Sequence, residues 1–151
     1  MIKEEDSHEN SKDLINIKPW NSKEFPVTIN NIRYNQDNTL FTLATSRGYK
    51  IFSTNNLKQV HEETEKVREL GDLESVQTYY SSSLVFILPT KNNENYTKRE
   101  LILFDDYFQK IIFKFQSKKE NINFFYVGKY AICIALQTQM VIIELITLKI
   151  V

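Results

Sequence analysis

Short apolar or alternating runs recur from residue 27 onward, separated by clusters of Asn, Asp, Ser, Gly and Lys. Alternation with a period of two is typical of half-buried strands, and a short continuous apolar run between turn residues is typical of fully buried ones. This pattern predicts strands at 27–34, 40–45, 49–53, 75–80, 83–88, 101–104, 109–115, 122–127, 130–136, 140–145 and 148–151, with a weaker edge strand at 57–62. The sequence therefore predicts an all-β protein of short antiparallel strands.

Two connections carry little β pattern. Residues 62–70 are rich in Glu, Lys and Arg, which are good helix formers, so a helical turn is one interpretation. We favour an irregular connection there. Residues 90–98 follow Pro89 and predict a long polar loop.

The strands fall into groups that repeat after about forty residues, which is the blade period of a WD-type β-propeller. The pattern predicts three blades at about 27–62, 75–115 and 122–151, each a four-stranded antiparallel sheet. Completely apolar central strands, such as 84–88, fit sheets that are covered on both faces.

The first 24 residues differ from the rest of the chain in composition. They are charged and polar, and their few large apolar side chains (Leu14, Ile15, Ile17 and Trp20) follow no regular period. Such a segment buries too little to offset its ordering entropy, so we expect a disordered tail over 1–24 before a domain over 25–151. The N-terminus has no apolar region typical of a signal peptide, which favours a cytoplasmic location.

Charge and cysteine content narrow the possible functions. The formal net charge is zero, which argues against sequence-independent electrostatic binding of nucleic acid. The one cysteine, Cys133, lies in an apolar run, so we expect a small buried side chain and no internal disulfide.

Catalytic chemistry has little support in the sequence. His8 and His61 lie near no cysteine or serine in a nucleophile motif, and Asp105-Asp106 is typical of a turn between strands. The chain has three glycines and no glycine-rich phosphate loop. We therefore expect no catalytic, cofactor-binding or metal-binding residues, and a non-enzymatic interaction module.

Three motifs in the first predicted blade are more specific than the period. They are Tyr-Asn-Gln-Asp at 34–37, Thr-x-x-Gly-Tyr-x-Ile-Phe at 45–52 and Thr-Asn-x-Leu-Lys at 54–58. This stretch resembles the first blade of the PROPPIN family, the WIPI-type WD-repeat phosphoinositide-binding propellers of autophagy. Weaker similarities follow in the family's order at 80–85, 99–105 and 127–143. The resemblance covers nearly all of 27–151.

The resemblance implies a fold and a function. Family members are seven-bladed, and this chain has material for about three blades, which would leave exposed strand edges. The implied function is protein scaffolding and phosphatidylinositol 3-phosphate-dependent membrane recruitment in autophagy, on autophagic or endosomal membranes. The family's lipid site uses an Arg-Arg motif, and no Arg-Arg pair occurs here, so no lipid-binding residue is assigned. A generic WD-repeat protein scaffold without lipid binding remains the alternative.

Partners follow from the same resemblance. The surface around the second and third blades implies autophagy proteins as partners, with Lys98, Arg99 and the loop 91–97 as candidate contacts. The competing interpretation is that this polar loop is only a solvated connection. A phosphoinositide membrane surface is a partner only if further blades exist, and no nucleic-acid partner is expected.

Overall fold

A computed structural model of the chain describes residues 27–151, and the tail predicted at 1–24 lies outside the described residues. The described part is almost entirely β-structure. Its strands are β1 (Ile29–Tyr34), β2 (Leu40–Thr45), β3 (Gly48–Ser53), β4 (Leu73–Thr78), β5 (Leu84–Pro89), β6 (Glu100–Asp105), β7 (Lys110–Gln116), β8 (Ile122–Val127), β9 (Ala131–Leu136), β10 (Met140–Glu144) and β11 (Lys149–Ile150), and one short helix, α1 (Glu65–Glu69), precedes β4. No helix within 27–151 has the length and apolar character needed to cross a membrane.

The strands form three antiparallel sheets, and each sheet is a simple meander. The first sheet has the order β1-β2-β3, the second β4-β5-β6-β7, and the third β8-β9-β10-β11. All pairings between neighbouring strands are antiparallel. The prediction of an all-β protein built from propeller-type sheets is confirmed.

The hydrophobic core lies in two layers, one on each face of the second sheet. Toward the first sheet, Val85 and Ile87 pack in one cluster with Tyr49. Toward the third sheet, Phe86 and Leu88 pack in a second cluster that includes residues of β8 and β9. Because β5 contributes to both layers, its side chains are apolar at successive positions instead of alternating.

The first sheet has three strands, so the prediction of a fourth strand at 57–62 is wrong. A single β-bridge joins Phe52 to Gln59, and two backbone hydrogen bonds of 2.9 Å flank this bridge. Leu57 adopts a positive φ of 56°, and the chain then turns so that the ring of His61 is buried beside Tyr49. Burial of this ring competes with continued pairing along β3.

The irregular connection predicted at 62–70 is also wrong, because α1 forms there. The hydroxyl of Thr64 caps the helix by accepting a hydrogen bond from the Val67 amide at 3.2 Å. Val67 and Leu70 are buried in the core between the first and second sheets. The cap and the burial together stabilise a helix too short to persist on its own.

Cys133 is half-buried, which corrects the expectation of a buried side chain. Along β9, Ile132, Ile134 and Leu136 are buried in the cluster shared with the second sheet. Alternation along the strand therefore places Cys133 on the opposite face, which no other described sheet covers.

Candidate partner-binding surface

Arg33 on β1 joins all three sheets directly. Its Nη1 donates to Ser75 Oγ on β4 at 3.0 Å, and its Nη2 donates to the carbonyl oxygen of Phe125 on β8 at 2.8 Å. The guanidinium also lies over the Phe125 ring, 4.5 Å from the centroid. Burial lowers the pKa of Arg33 to about 10, so the side chain stays charged at neutral pH. This side chain fixes β1, β4 and β8 relative to one another.

Two glutamines extend this connection between the sheets. Gln36 Nε2 donates to the Val127 carbonyl at 3.0 Å, and its Oε1 accepts from the Tyr80 amide at 2.6 Å. Gln77 donates to the Tyr34 carbonyl and accepts from the Val127 amide, both at 3.3 Å. Gln36 belongs to the Tyr-Asn-Gln-Asp motif at 34–37. In the structure, this motif joins the three sheets.

The predicted polar loop after β5 is held in place by Asn93. Its Nδ2 donates to the carbonyl oxygens of Leu70 and Asp72, both at 2.8 Å. Its Oδ1 accepts from the amides of Asn95 and Tyr96 at 2.8 and 2.9 Å. These bonds attach the loop to the connection between α1 and β4, so it presents a defined surface.

Lys98, the first candidate contact, forms an ion pair and a backbone hydrogen bond within the chain. Its Nζ lies 2.7 Å from Glu74 Oε1, and its side chain is 14% exposed. Its carbonyl accepts from the Ile122 amide at 2.9 Å, which connects it to the start of β8. The structure thus places Lys98 as a link between the second and third sheets, and a role in partner binding stays a prediction.

Arg99, the second candidate contact, lies beside the connection between β7 and β8. Its Nη1 donates to the Lys118 carbonyl at 3.3 Å, and its own carbonyl accepts from the Ser117 amide at 2.9 Å. A role of Arg99 in partner binding likewise stays a prediction.

A groove of about 380 Å³ opens next to this connection, between the second and third sheets. We call it the basic groove. Its apolar lining includes Phe115, Leu136 and Val141, and its charged lining comprises Lys118, Lys119 and Glu120. Hydrogen bonds from Thr138 hold the pKa of Glu120 below its usual range, so this carboxylate is ionised at neutral pH.

No local pattern in the sequence indicates the contact between His61 and Asp106. His61 Nδ1 lies 3.1 Å from Asp106 Oδ1, across 45 positions of the chain. Within 27–151, His61 Nε2 has no hydrogen-bond partner, so no serine forms a nucleophile pair with it. The same described residues hold no group of three or more side chains that could bind a metal ion.

Comparison with known proteins gives structural matches only. No family model matches the chain, and no curated protein matches its sequence. Hsv2 of Kluyveromyces marxianus is 12% identical with a TM-score of 0.68, over 83% of this chain and 38% of that one. Hsv2 of Kluyveromyces lactis is 15% identical with a TM-score of 0.64, over 79% and 33%.

A third match is KlAtg21, solved in a complex with the coiled-coil of AgAtg16. It is 20% identical with a TM-score of 0.64, over 82% of this chain and 38% of that one. The chain thus spans between 33% and 38% of the length of these three structures. Hsv2 and Atg21 are PROPPIN β-propellers, so the described chain has the fold of part of a PROPPIN propeller, which confirms at the level of the fold the resemblance found in the sequence.

Proposed function

We propose that this chain is a non-catalytic, PROPPIN-like interaction module that acts as a protein scaffold in autophagy. The observation that carries the proposal is the basic groove between the second and third sheets, with Arg99, Lys118 and Lys119 beside an apolar floor. The partner that fits it is a helical segment with apolar side chains and acidic flanks. A coiled-coil of the Atg16 type is the candidate, because a structure with the same fold, KlAtg21, was solved with that class of partner.

The chemistry of the groove supports this class of partner. An amphipathic helix binds by placing its apolar side chains in a groove, and Phe115, Leu136 and Val141 provide apolar contacts for them. Cationic side chains at the rim attract acidic residues and set the orientation of the partner. Lys98, which forms an ion pair with Glu74, precedes Arg99 in the chain and is the other candidate contact of this surface.

Membrane recruitment forms a separate part of the proposal. The family resemblance implies recruitment by phosphatidylinositol 3-phosphate to autophagic or endosomal membranes, with the protein otherwise cytoplasmic. No Arg-Arg pair occurs in the sequence, so we assign recruitment of this chain to its protein partner or to further blades. The alternative is a WD-repeat scaffold that binds proteins of another kind and no lipid.

Binding of the whole chain to a labelled Atg16-type coiled-coil peptide, measured by fluorescence anisotropy, tests the scaffold proposal. Replacing a cation by an acid reverses its interaction with the partner, so Arg99→Glu and Lys119→Glu should each weaken binding about tenfold, which corresponds to about 1.4 kcal/mol. Lys58→Glu changes the net charge equally at an exposed position after β3, away from the groove, and should leave the affinity unchanged. Equal affinity of all four proteins would refute the basic groove as the binding site, and no binding at all would favour the alternative scaffold.

Flotation of the whole chain with vesicles, with and without phosphatidylinositol 3-phosphate, tests the membrane part. We expect the chain alone to stay unbound, and to float when the coiled-coil peptide is anchored to the vesicles. Flotation of the chain alone that depends on phosphatidylinositol 3-phosphate would contradict this assignment, because it would require lipid contacts outside the family's Arg-Arg motif.

A further inference from the structure

The first sheet has one face that no other described sheet covers. Two cross-strand rows on this face belong to neither hydrophobic cluster, and they consist of Ile32, Leu43 and Lys50 and of Tyr34, Phe41 and Phe52. We call these two rows the free face of the first sheet. Ile32 and Tyr34 are more than half exposed. The one charged member, Lys50, forms an ion pair with Glu63 at 3.1 Å.

The third sheet also has one face that no other described sheet covers. Its two cross-strand rows consist of Phe124, Ala135 and Met140 and of Tyr126, Cys133 and Ile142, and neither cluster includes them. We call these rows the free face of the third sheet. Phe124, Tyr126 and Met140 are more than half exposed. Contiguous exposed apolar side chains of this kind mark interaction surfaces on soluble proteins.

The two free faces point away from each other within one chain. The second sheet lies between the other two, and its apolar clusters cover the opposite face of each. Arg33 on β1 bonds Ser75 on β4 and the Phe125 carbonyl on β8, so the three inner strands lie close together. The three sheets therefore stack side by side from a shared inner edge, and each end of the stack presents a free face.

We propose that the free face of the first sheet binds the free face of the third sheet in a second copy of this chain, so that two copies close a ring. This interaction goes beyond the scaffold function and does not depend on the basic groove. Each contact repeats the stacking that already joins the second sheet to its two neighbours. Head-to-tail contacts close when the rotation between copies allows it, and propellers have typically about four to eight blades, a range that includes a ring of two three-sheet chains.

The apolar area of the two faces is sufficient for a stable pair. An aromatic side chain buries roughly 150–250 Å², so the five side chains that are more than half exposed would bury on the order of 500 Å² in one contact. A closed pair has two such contacts and would bury about 1,000 Å², the area expected of a specific interface. The half-buried side chains of Phe41, Phe52 and Ile142 add to this area. Because the only charge in these rows is already paired, a second apolar sheet face fits them better than a charged partner.

Sedimentation equilibrium of the whole chain over a wide range of concentration tests the proposal. We expect the mass of two chains at high concentration and the mass of one on dilution. Tyr34→Glu and Met140→Lys each place a charge in both apolar contacts of the pair, so each should raise the dissociation constant at least about a hundredfold. Tyr107→Glu and Tyr107→Lys, at an exposed position of the β6–β7 turn outside both faces, should leave it unchanged.

Three results of that experiment would overturn the proposal. They are a parent chain that stays single at every concentration, species larger than two chains, and an effect confined to one of the two variants. The last result would indicate pairing between like faces. Mixing Tyr34→Glu with Met140→Lys adds a further test, because a mixed pair has both charges in one contact and leaves the other contact unaltered. The mixture should associate more tightly than either variant alone, and failure to do so would exclude the closed ring.

Cys133 reports on the same contact from the other end of the chain. It is the only cysteine in the sequence, it is half-buried, and it lies on the free face of the third sheet. Tyr34→Glu lies on the first sheet, so it can change access to Cys133 only through a second copy. We expect iodoacetamide to alkylate Cys133 at least about tenfold faster in Tyr34→Glu than in the parent chain or Tyr107→Glu.

The parent rate of alkylation should also fall as protein concentration rises. Equally fast alkylation in all three proteins would overturn the proposal, because the free face of the third sheet would then be open to solvent. Equally slow alkylation at every concentration would overturn it in favour of a cover supplied by the same chain, for which residues 1–26 would be the candidate.

Discussion

Two amide side chains in the β1–β2 turn, those of Asn35 and Gln36, form hydrogen bonds with backbone groups of other sheets. The Gln36 side chain donates to the Val127 carbonyl in β8 and accepts from the Tyr80 amide, which follows β4. One side chain therefore completes the backbone hydrogen bonding of two other sheets. Asn35 acts similarly, donating to the Tyr80 carbonyl at 3.2 Å. A residue that pairs backbone groups of other elements has more effect when removed than its own exposure suggests.

Gln36→Ala tests this role. The substitution leaves the Val127 carbonyl and the Tyr80 amide without their partner, so the free energy of unfolding should fall by about 1–3 kcal/mol. Urea denaturation followed by circular dichroism measures the change. Gln137→Ala, in the exposed turn between β9 and β10, is the matched control and should change it by less than about 0.5 kcal/mol. Equal stability of the two variants would contradict the role assigned to Gln36.

Among the elements, the approach of α1 to β3 depends on one glycine. Gly48 begins β3 with φ at +83°, and its amide donates to the Gly71 carbonyl at 2.7 Å. A Cβ placed there would lie 2.3 Å from the carbonyl oxygen of Val67 in α1. The helix can therefore pack against β3 only because position 48 has no side chain.

Gly48→Ala should therefore lower the thermal unfolding midpoint, because both the backbone conformation and the contact with α1 become strained. We expect a loss of more than about 1 kcal/mol, measured by calorimetry at one protein concentration. Gly128→Ala is the control, because its φ is outside the left-handed region and its added Cβ would meet the Ala131 oxygen at 3.2 Å. A smaller effect at 48 than at 128 would show that α1 adjusts without cost.

For the whole molecule, the relative placement of the sheets rests on packing and on a few polar links between inner strands. The second sheet has an apolar cluster on each face, and each cluster includes residues of one neighbouring sheet. Arg33 bonds residues of both other sheets at once. The outward face of the first sheet carries Tyr34, Phe41 and Phe52 in one cross-strand row, with Phe41 and Phe52 stacked at 5.2 Å. No sheet of the described chain covers that row.

Arg33→Met tests the link between sheets. The substitution keeps an apolar stem but leaves Ser75 Oγ and the Phe125 carbonyl without their donor, so we expect a loss of about 2 kcal/mol. Hydrogen exchange followed by NMR should show faster exchange in β8 than in the parent chain, with β5 little changed. Lys149→Met, which removes an exposed charge from β11, should leave exchange in β8 unaltered. Uniform acceleration in all strands would instead indicate global destabilisation, contrary to a local link.

The fold and the candidate site differ in how far the local sequence predicts them. The strands of the second and third sheets were predicted within about two residues, because their apolar runs are bounded by clear turn residues. The region 57–70 was mispredicted, because Thr64 as a helix cap and Val67 as a core residue act only once the sheets pack together. At the candidate site, the sequence could nominate Lys98 and Arg99, but nothing local indicated that Lys98 is paired with Glu74.

The sequence by itself determined the β class, the meander of strands and the propeller-type repeat, because side-chain alternation and turn residues act over a few positions. The motifs 34–37, 45–52 and 54–58 also carried the family resemblance without any structure. Only the tertiary structure decided that Gln36 and Arg33 join three sheets, and that the buried ring of His61 meets Asp106. Those contacts span 42 or more positions of the chain, and their partners become neighbours only when the apolar faces of the sheets are buried against one another.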